Sequence, residues 1–500
     1  MRMNELILKI GRLEKRLAAL EDENRRLREI EVKYEELVKE NGQLKETLKQ
    51  YADAAASKKP KFGLNYSSER NEPKDKSQRK RNKTKNKNPR KPAGRKPKTH
   101  KPEQADHVES IYPEGVSPKK CVFVREQFVW RLIGHEAKYV HYKIFDLPDS
   151  KSPPTIPGVR DPRCEYGLEF LMMLAHHVYW LGLSMDKARQ LIEFYTELKI
   201  SKSQADTLLY QLARDWQSEY KEIAKRIAEA SILYIDETAW KLGRKACYTW
   251  VFGTFADVYY RCGVGRGKDI LTEVLGEKFK GIGISDDYAG YDSIFSQHQL
   301  CWAHFLRKAI ELMLRYPTER KYRNFYLKLL LIYRKAKRYQ NDGRLSNGRD
   351  AKVLELQTEI TKLCKRVKEE IITEKHAKAN GWDVSWITPE PERKMILLQR
   401  ELVENLNCLF VFVANPEVGS TNNQSERDLR DEAQARKAGR TSKTAKGAKR
   451  RGVIISVFAT LKRRMEHFTL TNLLNIVFEA QASRISLFKI LKPPNQKMTL

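Results

Sequence analysis

The chain has 500 residues, 41% of them apolar or aromatic, and a formal net charge of +31, with a pI near 9.7. That length predicts several domains with real cores, and that charge predicts a polyanionic partner, nucleic acid before an anionic membrane surface. No apolar run approaches the ~20 residues of a membrane span, the opening residues carry no signal-peptide pattern, and the seven cysteines stand singly with no C-x-x-C, so a soluble, cytoplasmic protein without a disulfide framework or structural zinc is expected.

Residues 1–50 carry heptads. Leu6, Leu13, Leu20 and Leu27 fall seven apart, with Met3, Ile10, Leu17 and Asn24 between them. The pattern then slips by three residues and resumes as Ile30, Leu37, Leu44 with Tyr34, Asn41, Leu48. A three-residue slip is a stammer, which overwinds a coiled coil locally. Asn24 and Asn41 fall at core positions, where a buried Asn fixes register at a cost in stability. A self-associating, leucine-zipper-like coiled coil is expected; the other reading is an amphipathic helix packed on its own protein.

Residues 51–106 read as a basic linker. Between Asn71 and Pro102 there are fourteen Lys/Arg, two acids and no Leu, Ile, Val or aromatic residue. Such a segment cannot bury enough apolar area to offset chain entropy, which predicts disorder. Arg95 and Lys96, set among prolines, suit a narrow minor groove, or belong to a solvated tether that adds salt-sensitive DNA affinity.

Residues 107–160 predict a small β-rich module, closed by the proline-rich SKSPPTIPG. Residues 161–230 read as helices, with Ser201 or Ser203 as a cap and a weak helix-turn-helix pattern that makes them a candidate DNA-binding element. Residues 231–310 predict strands and helices in the order β-β-β-α-β-α, starting from SILYIDETAW. Its continuous apolar run suits a strand buried on both faces. Asp236-Glu237 at its end would cost desolvation unless a cation compensates. Asp286-Asp287 end the fourth strand, GIGIS. In a mixed sheet of this order the first and fourth strands can be neighbours, and two carboxylates that close need a cation to stay ionised, for which Mg²⁺ or Mn²⁺ suits oxygen ligands.

Residues 311–415 predict charged helices inserted into that domain. Residues 416–485 complete it, with 486–500 as a tail. Asn423-x-x-Glu426 has capping-box spacing, or Glu426 is a third metal ligand beside phosphate-binding cations. From Arg436 to Arg464 there are eleven Lys/Arg and no acid. GRTSKTAKGAKRRG reads as a loop gripping DNA backbone, followed by two amphipathic helices. Candidate DNA contacts are Arg427, Arg430, Arg436, Lys437, Arg440, Lys443, Arg450 and Arg451.

The DETAW stretch, DDYAGYD followed by CWAH, and NNQSERDLR, in this order with a helical insertion before the last, resemble the insertion-sequence-66 transposases of the DDE class. The resemblance runs from about Cys164 to the C-terminus and extends to the zipper and basic linker upstream. It implies a mixed α/β fold: a ribonuclease H-like catalytic core with a large helical insertion, preceded by an N-terminal coiled coil and a helical domain. It implies a transposase that cuts element ends and joins them to target DNA by two-metal phosphoryl transfer. The catalytic and metal-binding residues would be Asp236, Asp286 and Glu426, with Asp287 as the alternative second Asp, two Mg²⁺ or Mn²⁺ ions, and His304 and Asn423 as support. The family's Cys-rich zinc module has only Cys121 at its position here, so no zinc is expected. The expected partners are element-end and target DNA, a second copy through residues 1–50, and small accessory proteins, in the cytoplasm of a bacterial-type cell at the nucleoid. A metal-dependent nuclease with the same core, or a non-catalytic dimeric DNA-binding protein, are the alternatives.

Overall fold

The computed structural model describes residues 102–493, apart from 151, 289, 292, 346, 381–382 and 384–386, and Glu21 alone before them. The coiled coil expected over 1–50, Glu21 excepted, and the linker up to residue 101, with Arg95 and Lys96, therefore lie outside the described residues. The chain divides into two units, Met1–Pro97 and Lys98–Leu500; all elements below belong to the second.

Three strands come first: β1 (His107–Ile111), β2 (Val122–Ile133) and β3 (Glu136–Asp146). Strands β2 and β3 form an antiparallel hairpin, and β1 lies parallel to β3 on its other side. The hairpin turns at Gly134, whose φ of +65° only glycine adopts freely. The proline-rich stretch that closes the module is part of its core. It folds back, so that Ile156 and Val159 join Val129, Val140 and Ile144 in one small core. The module is also tied to the first residues of the helical region. The Trp130 backbone N–H donates to the Glu165 carbonyl and the Gly167 N–H to the Trp130 carbonyl, both at 2.9 Å, and Arg131 pairs with Glu169 at 2.6 Å.

Helix α1 (Leu168–Ala175) runs into a π-turn, His176–Trp180. Helices α2 (Met185–Thr196), α3 (Lys202–Asp215) and α4 (Gln217–Ala228) come next. Ser201, not Ser203, caps α3 in a full capping box with Gln204, which satisfies two otherwise unpaired N–H groups.

The central sheet is built from β4 (Ile232–Leu242), β5 (Lys245–Gly253), β6 (Val258–Val264), β7 (Phe279–Ser285) and β8 (Phe295–Leu300), with α5 (Lys268–Leu275) between β6 and β7. Its order is β6-β5-β4-β7-β8. The first three strands are antiparallel, and β4, β7 and β8 run parallel. The first and fourth strands are thus neighbours, paired through Ile232–Ile282, Leu233–Gly283 and Tyr234–Ile284.

Leu233, Ile235 and Phe252 share one face and belong to a core with helices before and after the sheet. The other packs Ile284 and Leu300 against a second helical group. That group contains α6 (Trp302–Arg315), α7 (Arg320–Asn341), α8 (Arg349–Leu363), α9 (Glu374–Asn380), α10 (Glu390–Glu404) and the short α11 (Leu406–Leu409) and α12 (Val411–Ala414). The chain then returns to the sheet as α13 (Asn423–Lys437) and α14 (Ala445–Arg464), and ends with α15 (Leu470–Ser483) and α16 (Leu487–Ile490).

Helix α14 departs from two expectations. It starts at Ala445, capped by the Thr444 side chain, so most of GRTSKTAKGAKRRG is helix rather than loop. Nor is it amphipathic where it crosses the sheet: every residue from Arg451 to Leu461 is buried, as in a helix covered all round. Its polar residues complete the edge strand β6. The backbone N–H of Tyr260 donates to Ser456 Oγ at 2.8 Å, and that of Val258 to Thr460 Oγ1 at 3.0 Å. A helix thereby takes up edge donors that would otherwise be orphaned. Gly452 permits the approach, since a Cβ there would lie 3.0 Å from the Tyr260 carbonyl oxygen.

Arg451 and Glu432 join α14 to α13 as a buried two-point ion pair, at 2.7 and 2.8 Å, with the guanidinium over the Trp240 ring at 5.0 Å. Removing one partner strands a buried charge, so Arg451→Ala is expected to cost about 3–5 kcal/mol in denaturant unfolding. The double variant Arg451→Met/Glu432→Leu should recover most of it; equal losses in both would show that packing volume, not charge pairing, dominates.

Candidate active site

Asp236 lies two residues beyond the Tyr234–Ile284 pair on β4, and Asp286 two residues beyond it at the end of β7. Adjacent strands are about 4.8 Å apart, so the pairing delivers both carboxylates to one edge. Asp236 is pushed up to about 8, first by burial and then by the charge of Asp286, with Glu237 and Glu426 adding to it. The Glu237 backbone N–H, donating to Asp236 Oδ1 at 2.8 Å, works the other way. Asp286 is pushed up to about 6 by burial and by the charge of Glu237, opposed by Arg266. Its Oδ1 is buried without a hydrogen-bond partner.

The neighbouring acids are committed elsewhere. Glu237 accepts from Arg266 Nε and from the Tyr291 hydroxyl, both at 2.8 Å. Arg266 in turn lies over the Tyr288 ring at 4.3 Å, and the Tyr288 hydroxyl donates to the Arg266 carbonyl at 2.7 Å. The two tyrosines of DDYAGYD thus fix the Glu237–Arg266 pair beside the site. Asp287 is exposed, and its charge helps to raise the Glu401 carboxyl of α10, which burial raises first and Lys308 opposes. Of the two aspartates, Asp286 is therefore the one that faces Asp236.

Glu426 does not close a capping box. The N-cap is Asn422, with no side-chain cap bond, and Glu426 falls in the second half of the first turn. Its carboxylate instead lies 3.7 Å from His304 Nε2 and 3.7 Å from an Arg307 amino group. His304 and Arg307 sit three apart on α6, so one helix face presents both. Burial, then Arg307, holds the His304 imidazole below its ordinary value, while Glu426 opposes this.

Asn422 sets where α13 begins. It is 1% exposed, donates through Nδ2 to the Ile235 carbonyl at 2.8 Å, and its backbone N–H reaches Cys301 Sγ at 3.1 Å. One residue thus ties the helix carrying Glu426 to the strand carrying Asp236 and to the start of α6. Asn423, its neighbour, is exposed. In CWAH, Trp302 is buried and donates to the Leu409 carbonyl at 2.5 Å. Only His304 of that motif faces an acid.

The basic candidates divide. Arg427, Arg430, Lys437 and Lys443 are exposed. Arg436 is half-buried and donates to the Ala239 carbonyl at 3.3 Å, and Arg440 donates to the Gly182 carbonyl. Arg450 is spent on Asp206, at 2.7 Å, and Arg451 is 6% exposed in its pair with Glu432. Arg451 is thus enclosed in the core, whereas Arg450 is partly exposed at the start of α14. Arg307 and Arg266 are cations of the site that the sequence pattern did not single out; the i, i+3 spacing of His304 and Arg307 was the available signal for the first.

Among the described residues, no group of three or more His, Cys, Asp or Glu is drawn together tightly enough to hold a metal as it stands. The fit to hard divalent cations rests on donor chemistry: carboxylate oxygens only, one of them buried and unpartnered, whose mutual repulsion a cation would relieve. A cavity of about 660 Å³ lies elsewhere, between the outer edge of β8 and α8, and includes none of these acids.

Both aspartates bind a proton more readily in the folded chain than in the unfolded one. Stability should therefore fall as pH rises from about 4 to about 8. In EDTA, Asp236→Asn is expected to raise the thermal midpoint by roughly 5 °C near pH 7.5 and to change it little near pH 4. A variant no more stable than wild type near pH 7.5 would contradict the crowding of charge at this edge.

Compared with curated proteins, the chain has no match. Compared with protein families, it matches the description Transposase IS66 family over residues 163–450. That span covers more than half of the chain and holds every acid of the site, from Asp236 to Glu426. The chain belongs to the IS66 family of transposases.

Proposed function

We propose that this chain cuts the ends of an insertion sequence and joins them to target DNA by phosphoryl transfer, at a ribonuclease H-like site of Asp236, Asp286 and Glu426. The observation that carries the reading is the meeting of Asp236 and Asp286 at one sheet edge, each pushed toward the protonated form by burial and by neighbouring carboxylate charge. The strand order β6-β5-β4-β7-β8 supports the core assignment. Family membership supports a DNA partner.

In this reading Asp236, Asp286 and Glu426 would hold two Mg²⁺ or Mn²⁺ ions. Such ions, when bound, supply an activated water or 3′-hydroxyl and neutralise charge on the leaving oxygen. The protein's own share is positioning and charge. Asn422 holds the Glu426 helix against β4, which fixes the third carboxylate relative to the first. Exposed Arg427 and Arg430, with Arg307 from α6, are placed to bind phosphate oxygens beside the acids. His304, whose burial favours the neutral imidazole, can accept a proton near Glu426. Little covalent chemistry is asked of side chains, so orientation and electrostatics carry the rate. Self-association through residues 1–50 and help from small accessory proteins belong to the same proposal.

With labelled element ends and Mn²⁺, Asp236→Asn and Glu426→Gln are each expected to lower cleavage by at least about a thousandfold and to keep DNA affinity within about threefold. Persistent cleavage by Asp236→Asn would remove the assignment. Joined products separate a transposase from a nuclease with the same core. Binding has a readout without activity: Mn²⁺ should raise the wild-type thermal midpoint but not that of Asp236→Asn.

A further inference from the structure

Helix α7 is 22 residues long and contains no Asp or Glu, but eight Lys or Arg. Its buried face is Tyr322, Phe325, Leu329, Ile332 and Ala336. At 100° per residue, the face directly opposite carries Arg320, Arg323, Leu327, Leu331, Arg334 and Arg338, with Lys328 at its border. All seven are exposed. Leu331 is 61% exposed and Leu327 43%, so the centre of this face has no cover among the described residues.

The acids nearby are used up at the edges of the helix. Lys321 pairs with Glu392 and Glu319, and Lys335 with Glu355 and Glu359. Lys337 turns toward Gln340 and the Phe412 ring. The remaining five cations, Arg320, Arg323, Lys328, Arg334 and Arg338, have no ion pair among the described residues. They form a one-sign stripe about 27 Å long, which matches about eight steps of phosphate along one DNA strand.

We propose that this outer face of α7 is a second DNA-contact surface, a track for the duplex backbone carried by the helical insertion. The inference rests on the reading of the chain as a DNA-processing enzyme and extends it to an element with no carboxylate chemistry of its own. Three features select the occupant. The stripe has a single sign, so two copies meeting through it would stack like charges. Its cations are mostly arginines, whose planar forks match phosphate oxygens. Its two leucines lie between cations, where they can rest against sugar edges without needing a polar partner. The helix also packs on α6, which carries His304 and Arg307: Tyr333 lies against Trp302 at 5.2 Å and bonds Ser420 at 3.0 Å. DNA held along α7 is therefore held by a helix anchored next to the acids.

The test is the salt dependence of binding by the full chain to a labelled duplex. In the variant Arg323→Ala/Lys328→Ala/Arg334→Ala/Arg338→Ala, the slope of log K against log salt is expected to flatten by about 3 to 4, equally for any duplex sequence. Affinity should fall about a hundredfold near 0.1 M salt. The charge-keeping variant Arg323→Lys/Arg334→Lys/Arg338→Lys should keep the wild-type slope. If the alanine variant fails to fold, Arg334→Glu/Arg338→Glu alone should flatten the slope by about 2. An unchanged slope, in a protein whose wild type binds and cleaves DNA, overturns this surface and leaves the site reading intact. A changed sedimentation coefficient with an unchanged slope assigns the face to a second copy and also overturns it. A wild type that binds no DNA overturns both.

Discussion

The parallel pairing of β4 with β7 is the constraint on which the rest depends. It forces two carboxylates, Asp236 and Asp286, out of a buried sheet at the same edge. After burial, the group acting most on Asp236 is the carboxylate of Asp286. Arg266, the cation that opposes the rise at Asp286, is engaged with Glu237. A fold that only needed stability would place apolar residues here, because unpaired buried charge is costly. The arrangement makes sense when the relief is to come from a ligand of opposite charge.

Everything else either holds that edge or brings charge to it. Asn422 anchors α13 to β4 and to Cys301, so a helix arriving after a long excursion through α7–α12 presents Glu426 at a defined place. The excursion is itself held to the sheet by Gln299, whose side chain bonds the backbone of Leu409 and Phe412. The excess of cations is sorted by burial. Arg451 and Arg464 are locked into the core by Glu432 and Asp257, while Arg427, Arg430 and the outer row of α7 face solvent. Net charge alone does not say which cations can meet a polyanion; the partner of each guanidinium does.

That the first and fourth strands and their acids meet was legible because short apolar runs ending in Asp are a local signal; the fifth strand, β8, was missed, because its sequence FSQHQL is mostly polar. The capping of α3 at Ser201 was readable for the same reason. The loop expected around GRTSKTAKGAKRRG failed because Gly, Ser and Thr there suggested a turn. In fact Thr444 caps α14, Gly452 permits close helix–sheet contact, and Ser456 and Thr460 serve an edge strand. The roles of Gly452, Ser456 and Thr460 are set by a strand about two hundred residues away in the chain, which no local pattern encodes. The burial of Arg451 was hidden with them. The different settings of Asp286 and Asp287 were likewise tertiary, since Asp287 acts on Glu401, on a helix more than a hundred residues later.

The most direct measurement of the central claim is a metal-preference switch. Asp286→Cys replaces a hard oxygen ligand with a softer sulfur. If Asp286 contacts the ions, cleavage should be lost in Mg²⁺ and return at least in part in Mn²⁺, while Asp287→Cys behaves as wild type in both. The account would be contradicted by a switch that appears in Asp287→Cys and not in Asp286→Cys, or by full Mg²⁺-dependent cleavage in Asp286→Cys.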